Sequence, residues 1–103
     1  MLIIDRNTET GLLHAKIMPE NKLLEDFLQT EIQQDITLIH LLKQKTFDPH
    51  ALPFEITGNA HSLTLTKDEY LISSLYGGEH CCRGPLTEFM DILQQWAYFL
   101  ENE

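Results

Sequence analysis

Apolar residues occupy every second position near the start of the chain, and this pattern predicts a β-hairpin. Leu2–Ile4 is a short apolar strand, and a cluster of turn-forming residues follows at positions 7–11. Between Leu12 and Met18 apolar and polar side chains alternate, which is typical of a strand buried on one face. Pro19 ends this strand because it lacks the N–H that a β-ladder needs.

From Glu20 to Lys45 apolar residues recur every three or four positions, which predicts one long amphipathic helix. Acidic residues lie in its first turns and lysines in its last turn, as the helix dipole favours. Glu31 and Asp35 are four residues apart, so we expect them to share an exposed face.

The second half of the chain has the pattern of an antiparallel meander followed by a helix. Alternation predicts strands at Phe54–Thr57, Ser62–Thr66 and Glu69–Leu75, separated by short turns. Residues Tyr76–Pro85 are expected to form a ten-residue loop. The apolar stripe then resumes at helical spacing and predicts a last helix over Leu86–Leu100.

The predicted order of elements is therefore β-β-α-β-β-β-α, an α+β fold. We expect one five-stranded antiparallel sheet with two helices packed on one face. A length of 103 residues fits a single domain covering residues 1–103.

The charge balance changes the expected partners. Sixteen carboxylates against seven Lys and Arg residues give a formal net charge of −9. Such a surface repels nucleic-acid phosphates and an anionic membrane, and it attracts a basic protein. Net negative charge also keeps a protein soluble, which is the simpler explanation of the same number.

The sequence is expected to belong to a cytoplasmic protein with reduced thiols. The apolar start of the chain ends at Asp5 and Arg6, too early for a signal peptide, and no stretch reaches the length of a membrane span. Cys81 and Cys82 are adjacent, and a disulfide between neighbours would be strained.

The sharpest local feature for chemistry is the sequence His80-Cys81-Cys82. A zinc site would need further ligands, and a nucleophilic thiol would need a base such as His80 together with an orienting group. The chain has neither a CxxC pair nor a P-loop or nucleophile elbow. We therefore expect no catalytic residue, metal or cofactor, and a thiol or metal site at these three residues is the hypothesis that ranks last.

Three stretches resemble the small YacL-like family of uncharacterised bacterial proteins. They are residues 10–17 (a turn glycine and an alternating strand), residues 58–72 (a turn glycine and two strands joined by a short acidic turn) and residues 88–100 (an aromatic-rich closing helix). The resemblance implies the fold and supplies no catalytic residues. The chain departs from that family by lacking a long insert before the last helix and by having the Cys81-Cys82 pair.

In size and acidity the chain also resembles the immunity proteins of contact-dependent growth-inhibition systems. That resemblance implies a small cytoplasmic protein that binds and blocks its own toxin domain, which is often a basic nuclease such as a ribonuclease. A carboxylate-rich inhibitor can occupy a groove that normally holds phosphate.

On this hypothesis the partner-binding residues are carboxylates near the meander turns and the long loop, with tyrosines packed between them. The set is Asp68, Glu69, Tyr70, Tyr76, Glu79, Glu88, Asp91 and Tyr98. A second choice is the acidic side of the first helix, with Glu25, Asp26 and Glu31. The alternative function is a YacL-like housekeeping adaptor or regulator that forms a homodimer through an exposed strand edge.

Overall fold

The computed structural model describes residues 1–76 and 81–102, and it begins with the predicted hairpin. Strand β1 (Leu2–Arg6) pairs antiparallel with strand β2 (Leu13–Ile17). The alternating side chains Leu13, Ala15 and Ile17 are buried, as their spacing predicts.

The single long helix predicted for Glu20–Lys45 is wrong, because the helix is interrupted. Helix α1 (Lys22–Phe27) continues into a π-helical turn (Leu28–Ile32), and α2 (Ile36–Phe47) follows after a break. Gln33 stands at the break with a φ of 39°, a left-handed conformation that is unfavourable for a residue other than glycine. The Asp35 side chain then accepts a hydrogen bond from the N–H of Leu38 and starts α2 afresh.

A second sheet contains the meander. After a short 3₁₀ turn (Pro49–Ala51), strands β3 (Phe54–Thr57), β4 (His61–Leu65), β5 (Glu69–Ser74) and β6 (Cys81–Pro85) lie side by side in that order, each antiparallel to its neighbour.

The α+β class is confirmed, but the single five-stranded sheet is wrong. The described residues form a two-stranded sheet and a separate four-stranded sheet. The second half of the predicted loop is the edge strand β6, which the sequence hid because Gly84 and Pro85 are unusual in strands. Gly84 is needed there, since a Cβ at this position would lie 2.9 Å from the ring of Tyr70.

Helix α3 (Leu86–Glu101) closes the fold one residue beyond its predicted end. Its first free N–H, from Leu86, donates to the backbone carbonyl of Asp68. Its buried stripe packs with side chains from both sheets and from the first helical segment in one core. The largest fully buried side chains are Trp96, Tyr70, Phe89, Leu24, Leu28, Ile32, Ile39, Leu42, Leu63, Leu65, Ile72 and Leu93.

Candidate binding groove

The hydrogen-bond phase of the hairpin decides which backbone groups point outward. Bonds from Met18 to Met1 and from Asn7 to Leu12 fix the pairs at both ends of the ladder. In an antiparallel pair, hydrogen-bonded and non-hydrogen-bonded positions alternate. Ile3 and Asp5 therefore bond to β2, whereas the N–H and C=O groups of Leu2, Ile4 and Arg6 point away from it.

On β2 the same alternation leaves Leu13, Ala15 and Ile17 facing outward, and side chains of the first helical segment satisfy their N–H groups. The N–H of Ile17 donates to Glu25 Oε2 (2.9 Å), and that of Ala15 donates to Gln29 Oε1 (2.7 Å). Spacing by four residues places these helical side chains on one face, beside alternate strand positions.

Gln33 makes the third and strongest connection to this edge. Its amide oxygen accepts from the N–H of Leu13 (3.0 Å), and its amide nitrogen donates to the Leu13 carbonyl (2.8 Å). The backbone carbonyl of Gln33 also accepts from the indole N–H of Trp96 at 2.6 Å. These bonds hold the unfavourable backbone of Gln33 and close the outer edge of β2.

The outer edge of β1 has no such cover over Leu2 and Ile4. Among residues 1–76 and 81–102, no group is hydrogen-bonded to the outward backbone of these two residues. Between this edge and α3 lies a cavity of about 500 Å³, which we call the β1 groove. Its lining consists of Leu2, Ile4, Asp91, Gln94, Gln95, Tyr98, Phe99 and Asn102.

A line of exposed residues runs along α3 to its C-cap, and we call it the α3 stripe: Glu88, Asp91, Gln95, Tyr98 and Asn102. All of these except Glu88 line the β1 groove. These residues are three or four positions apart and are all exposed. Tyr98 keeps 67% of its surface in solvent although it is a large aromatic residue. The carboxylate of Asp91 accepts from the Gln95 amide at 2.8 Å and is thereby oriented.

The electrostatics of the groove favour a cation. None of the described residues that line it is basic, and the sequence of α3 contains three carboxylates and no Lys, Arg or His. The last turn of α3, which carries the negative end of the helix dipole, has no basic residue to balance it. Glu101 is exposed in this last turn, and Asp91 is exposed in the second turn of the helix.

The structure brings some of the predicted partner-binding residues together. Asp91 and Tyr98 line the β1 groove, and Glu88 lies on the same stripe. Asp68 and Glu69 lie near the beginning of α3, where the Asp68 carbonyl caps Leu86 and Glu69 pairs with Pro85. The carboxylate of Glu69 lies 4.0 Å from the Arg83 guanidinium.

Other predicted residues lie elsewhere. The structure does not place Tyr70 on the surface: it is 1% exposed and stacks on Phe89 at 5.2 Å between ring centroids. Burial, together with Cys82 and Glu88, raises the pKa of its hydroxyl. Tyr76 is 77% exposed, outside the groove, and Glu79 lies outside the described residues.

The acids of the first helical segment do not share one exposed face. Asp26 is exposed, but Glu25 is buried against the β2 edge and the side chain of Glu31 is 7% exposed. Glu31 accepts from the N–H groups of Asn59 (3.0 Å) and Ala60 (2.9 Å) in the β3–β4 turn. Glu25 and Glu31 are buried because backbone N–H groups of neighbouring elements need an acceptor.

Glu31 also pairs with a buried histidine that the sequence pattern did not single out. The Nδ1 of His61 lies 2.9 Å from Glu31 Oε2, and the side chain of His61 is 6% exposed. A carboxylate acceptor requires the proton on Nδ1. Burial raises the pKa of Glu31, but the hydrogen bonds from Ala60, His61 and Asn59 and the charge of His61 lower it, and the net shift is downward.

A carboxylate–imidazole pair can orient a general base, which needs a nucleophile in reach. Ser74 lies opposite His61 in the β4–β5 register, and both line a cavity of about 300 Å³. The Ser74 hydroxyl instead accepts from the N–H of Tyr76 (3.3 Å), and within the described chain it makes no hydrogen bond to His61. Through these contacts the Glu31–His61 pair holds the β3–β4 turn.

Of the three residues in the predicted His80-Cys81-Cys82 site, His80 lies outside the described residues. Cys81 is exposed, and Cys82 is half-buried with its sulfur 3.5 Å from the Asn21 amide. In residues 1–76 and 81–102, no three His, Cys, Asp or Glu side chains are grouped so that they could hold a metal ion.

Comparisons with protein-family models, with curated proteins and with solved structures found no match to this chain. Among the described helices, none has the length and apolar character needed to cross a membrane.

Proposed function

We propose that this protein is an immunity-type inhibitor that binds a basic toxin domain, a nuclease such as a ribonuclease, and covers the surface that would hold phosphate. The observation that carries the proposal is the β1 groove with the α3 stripe. The oriented carboxylate of Asp91, the exposed ring of Tyr98 and the open edge of β1 lie together on one face. None of the described residues that line this face is basic.

The α3 stripe supports an interface larger than the groove alone. A stable inhibitor interface covers about 800 Å² on each partner, more than one groove supplies. From the groove the stripe continues to Glu88, and Asp68 lies at the beginning of the same helix. Tyrosine is enriched among the residues that anchor interfaces, and carboxylates around it complement a basic surface.

The net charge of −9 supports fast encounter with a basic partner. Exposed charges are screened beyond about 8 Å at physiological ionic strength, so the association rate should fall steeply with added salt. An association rate that does not change with salt would argue against electrostatic steering.

The test uses the product of the adjacent upstream gene, which the proposal expects to contain the toxin domain. The purified domain is assayed on RNA and DNA with increasing amounts of this protein, and we expect complete loss of activity at an equimolar ratio. Asp91→Lys should raise the required concentration by about tenfold or more. Glu55→Lys, an equal charge change on an exposed residue of β3, is the matched control and should have a small effect.

Full toxin activity at a large excess of this protein would contradict the inhibitor function. Equal losses from Asp91→Lys and Glu55→Lys would contradict the location of the site and leave only a general charge effect.

A second candidate function, a homodimeric adaptor, is favoured by the geometry of the same edge. Leu2, Ile4 and Arg6 all point outward, so an antiparallel pairing of two β1 strands about Ile4 would place Leu2 opposite Arg6 without opposing like charges. Sedimentation equilibrium distinguishes the two: a dimer mass at micromolar concentration favours the adaptor, and a monomer mass favours the inhibitor.

A further inference from the structure

We propose that the β1 groove receives an extended basic segment of the partner, which adds to the outer edge of β1 as a third strand of the hairpin sheet. The nature of the partner rests on the function proposed above, whereas the mode of binding rests on the geometry of the edge.

The backbone of β1 is prepared for strand addition. Leu2 and Ile4 present outward N–H and C=O groups, and no described group is hydrogen-bonded to them. Added strands bind through such main-chain groups, with side chains supplying specificity. The edge spans the five residues Leu2–Arg6, which corresponds to about 17 Å of extended chain.

Both faces of an added strand would find contacts. On the inner side, alternate residues of the segment would enter the groove, where Leu2 and Ile4 face Tyr98 and Phe99 of α3. On the outer side the other residues would lie next to Ile3, which is 46% exposed although it is apolar. An incoming strand therefore buries apolar surface on both sides of the sheet.

The charges select a basic segment over a second copy of this chain. Asp5 on the outer side and Asp91 on the inner side are exposed carboxylates. The C-terminal end of α3 adds a partial negative charge. A second copy would bring another net charge of −9, whereas Lys or Arg residues at alternate positions would meet these acids.

The opposite edge of the hairpin cannot compete for this segment. Its outward N–H groups on Leu13, Ala15 and Ile17 already donate to Gln33, Gln29 and Glu25, respectively.

The test uses amide hydrogen exchange of the full-length protein, measured by NMR. The probe is a synthetic heptapeptide of alternating valine and lysine, titrated to millimolar concentration. We expect exchange at Leu2 and Ile4 to slow by about tenfold or more, since main-chain pairing protects amides, while Ile3 and Asp5, already paired, change little. A peptide of the same sequence with N-methyl groups on its pairing edge should give no protection.

Side-chain variants provide the second readout. Tyr98→Ala should weaken peptide binding about tenfold, as expected for a central aromatic anchor. Tyr76→Ala removes another exposed tyrosine, which lies outside the groove, and should leave binding unchanged. Equal losses from the two variants would contradict binding in the groove.

Several results would overturn strand addition: no binding at millimolar peptide, binding with unchanged exchange at Leu2 and Ile4, or equal binding of the N-methylated peptide. If the Leu2 and Ile4 amides become protected without peptide as the protein concentration rises, and the measured mass doubles, the occupant of the edge is a second copy of this chain.

These outcomes separate the inference from the proposed function. If the toxin is neutralised but the Leu2 and Ile4 amides exchange as fast as in the free protein, the inhibitor function is retained and strand addition is rejected. Protection by the peptide without neutralisation of the toxin would do the reverse.

Discussion

The two edges of the N-terminal hairpin belong to the same small sheet, yet the outer edge of β2 is covered by side chains and the outer edge of β1 is open at Leu2 and Ile4. Along β2 the helical side chains Glu25, Gln29 and Gln33 take the place of a neighbouring strand. Along β1 the outward groups of Leu2 and Ile4 face a groove. Exposed strand edges invite unwanted pairing, so natural proteins usually cover or blunt them.

If the proposed function is right, this difference separates residues that serve folding from residues that serve binding. At the closed edge, Gln33 has an unfavourable positive φ. The side chains of Glu25, Gln29 and Gln33 are bonded to the β2 backbone. The open edge contributes less to the hydrogen-bond network and has an exposed tyrosine and a carboxylate beside it. Substitutions on the closed side should therefore alter stability, and those on the open side should alter binding.

The largest effect is expected from proline substitutions that compare neighbouring residues of β1. Ile3→Pro removes an N–H that bonds to β2 and should lower the free energy of unfolding by about 3 kcal/mol or more. Ile4→Pro removes an outward N–H and should cost less than about 1.5 kcal/mol, mainly through lost packing. Urea unfolding of the two variants measures the difference. Equal destabilisation would show that the assigned hydrogen-bond phase is wrong.

The next effect concerns the closed edge itself. Gln33→Ala removes both bonds to Leu13 and leaves a buried N–H without a partner, so it should cost about 2–3 kcal/mol. Gln34→Ala is the control: its side chain is exposed and makes one long contact of 3.4 Å to Gly11, so the change should stay within about 0.5 kcal/mol. Thermal or urea unfolding tests both, and a neutral Gln33→Ala would mean that water replaces the glutamine at the β2 edge.

A smaller and pH-dependent effect is expected at Glu31, which closes the β3–β4 turn as Glu25 closes β2. Glu31→Gln should cost about 2 kcal/mol at neutral pH, because a charged acceptor of three hydrogen bonds is replaced by an amide. The folded-state pKa of Glu31 lies below its ordinary value of 4.5. Its contribution is therefore complete above pH 4.5 and is lost as the pH falls through the folded pKa.

Unfolding curves between pH 7 and pH 3 check this sign. The difference between wild type and Glu31→Gln should shrink toward the acid end. Asp26→Asn, a neutralised carboxylate that is exposed on the same helical segment, should show a small difference at every pH. A gap between wild type and Glu31→Gln that stays constant down to pH 3 would mean that the charge of Glu31 is not what stabilises the turn.

Alternation and helical spacing predicted the hairpin, the meander strands β3 to β5 and α3, because each of these elements buries one regular face. They failed where a long-range polar contact decides the structure. The break at Gln33 depends on Leu13 and Trp96, twenty and 63 residues away in sequence. No local pattern reveals such a partner.

The candidate site was accessible to sequence reasoning only in part. Asp91 and Tyr98 could be selected because they lie off the apolar stripe of α3, and the structure places both in the groove. Leu2 and Ile4 could not be selected, since an apolar strand residue gives no sign of whether its backbone edge is paired. Glu25 and Glu31 illustrate the opposite error: a carboxylate at an apparently exposed helical position can be a buried acceptor for backbone N–H groups.

The smallest effect on stability is expected from Tyr98→Ala, and its smallness is informative. Trp96 and Tyr98 are two residues apart on α3, but Trp96 is fully buried and bonded to Gln33, whereas Tyr98 is 67% exposed. Truncation of an exposed aromatic should change the free energy of unfolding by less than about 0.5 kcal/mol, measured by urea unfolding. A loss above about 2 kcal/mol, typical of a core position, would assign Tyr98 to the fold. Stability close to wild type, combined with weaker peptide binding, would instead mean that this tyrosine is kept at the open edge for a partner.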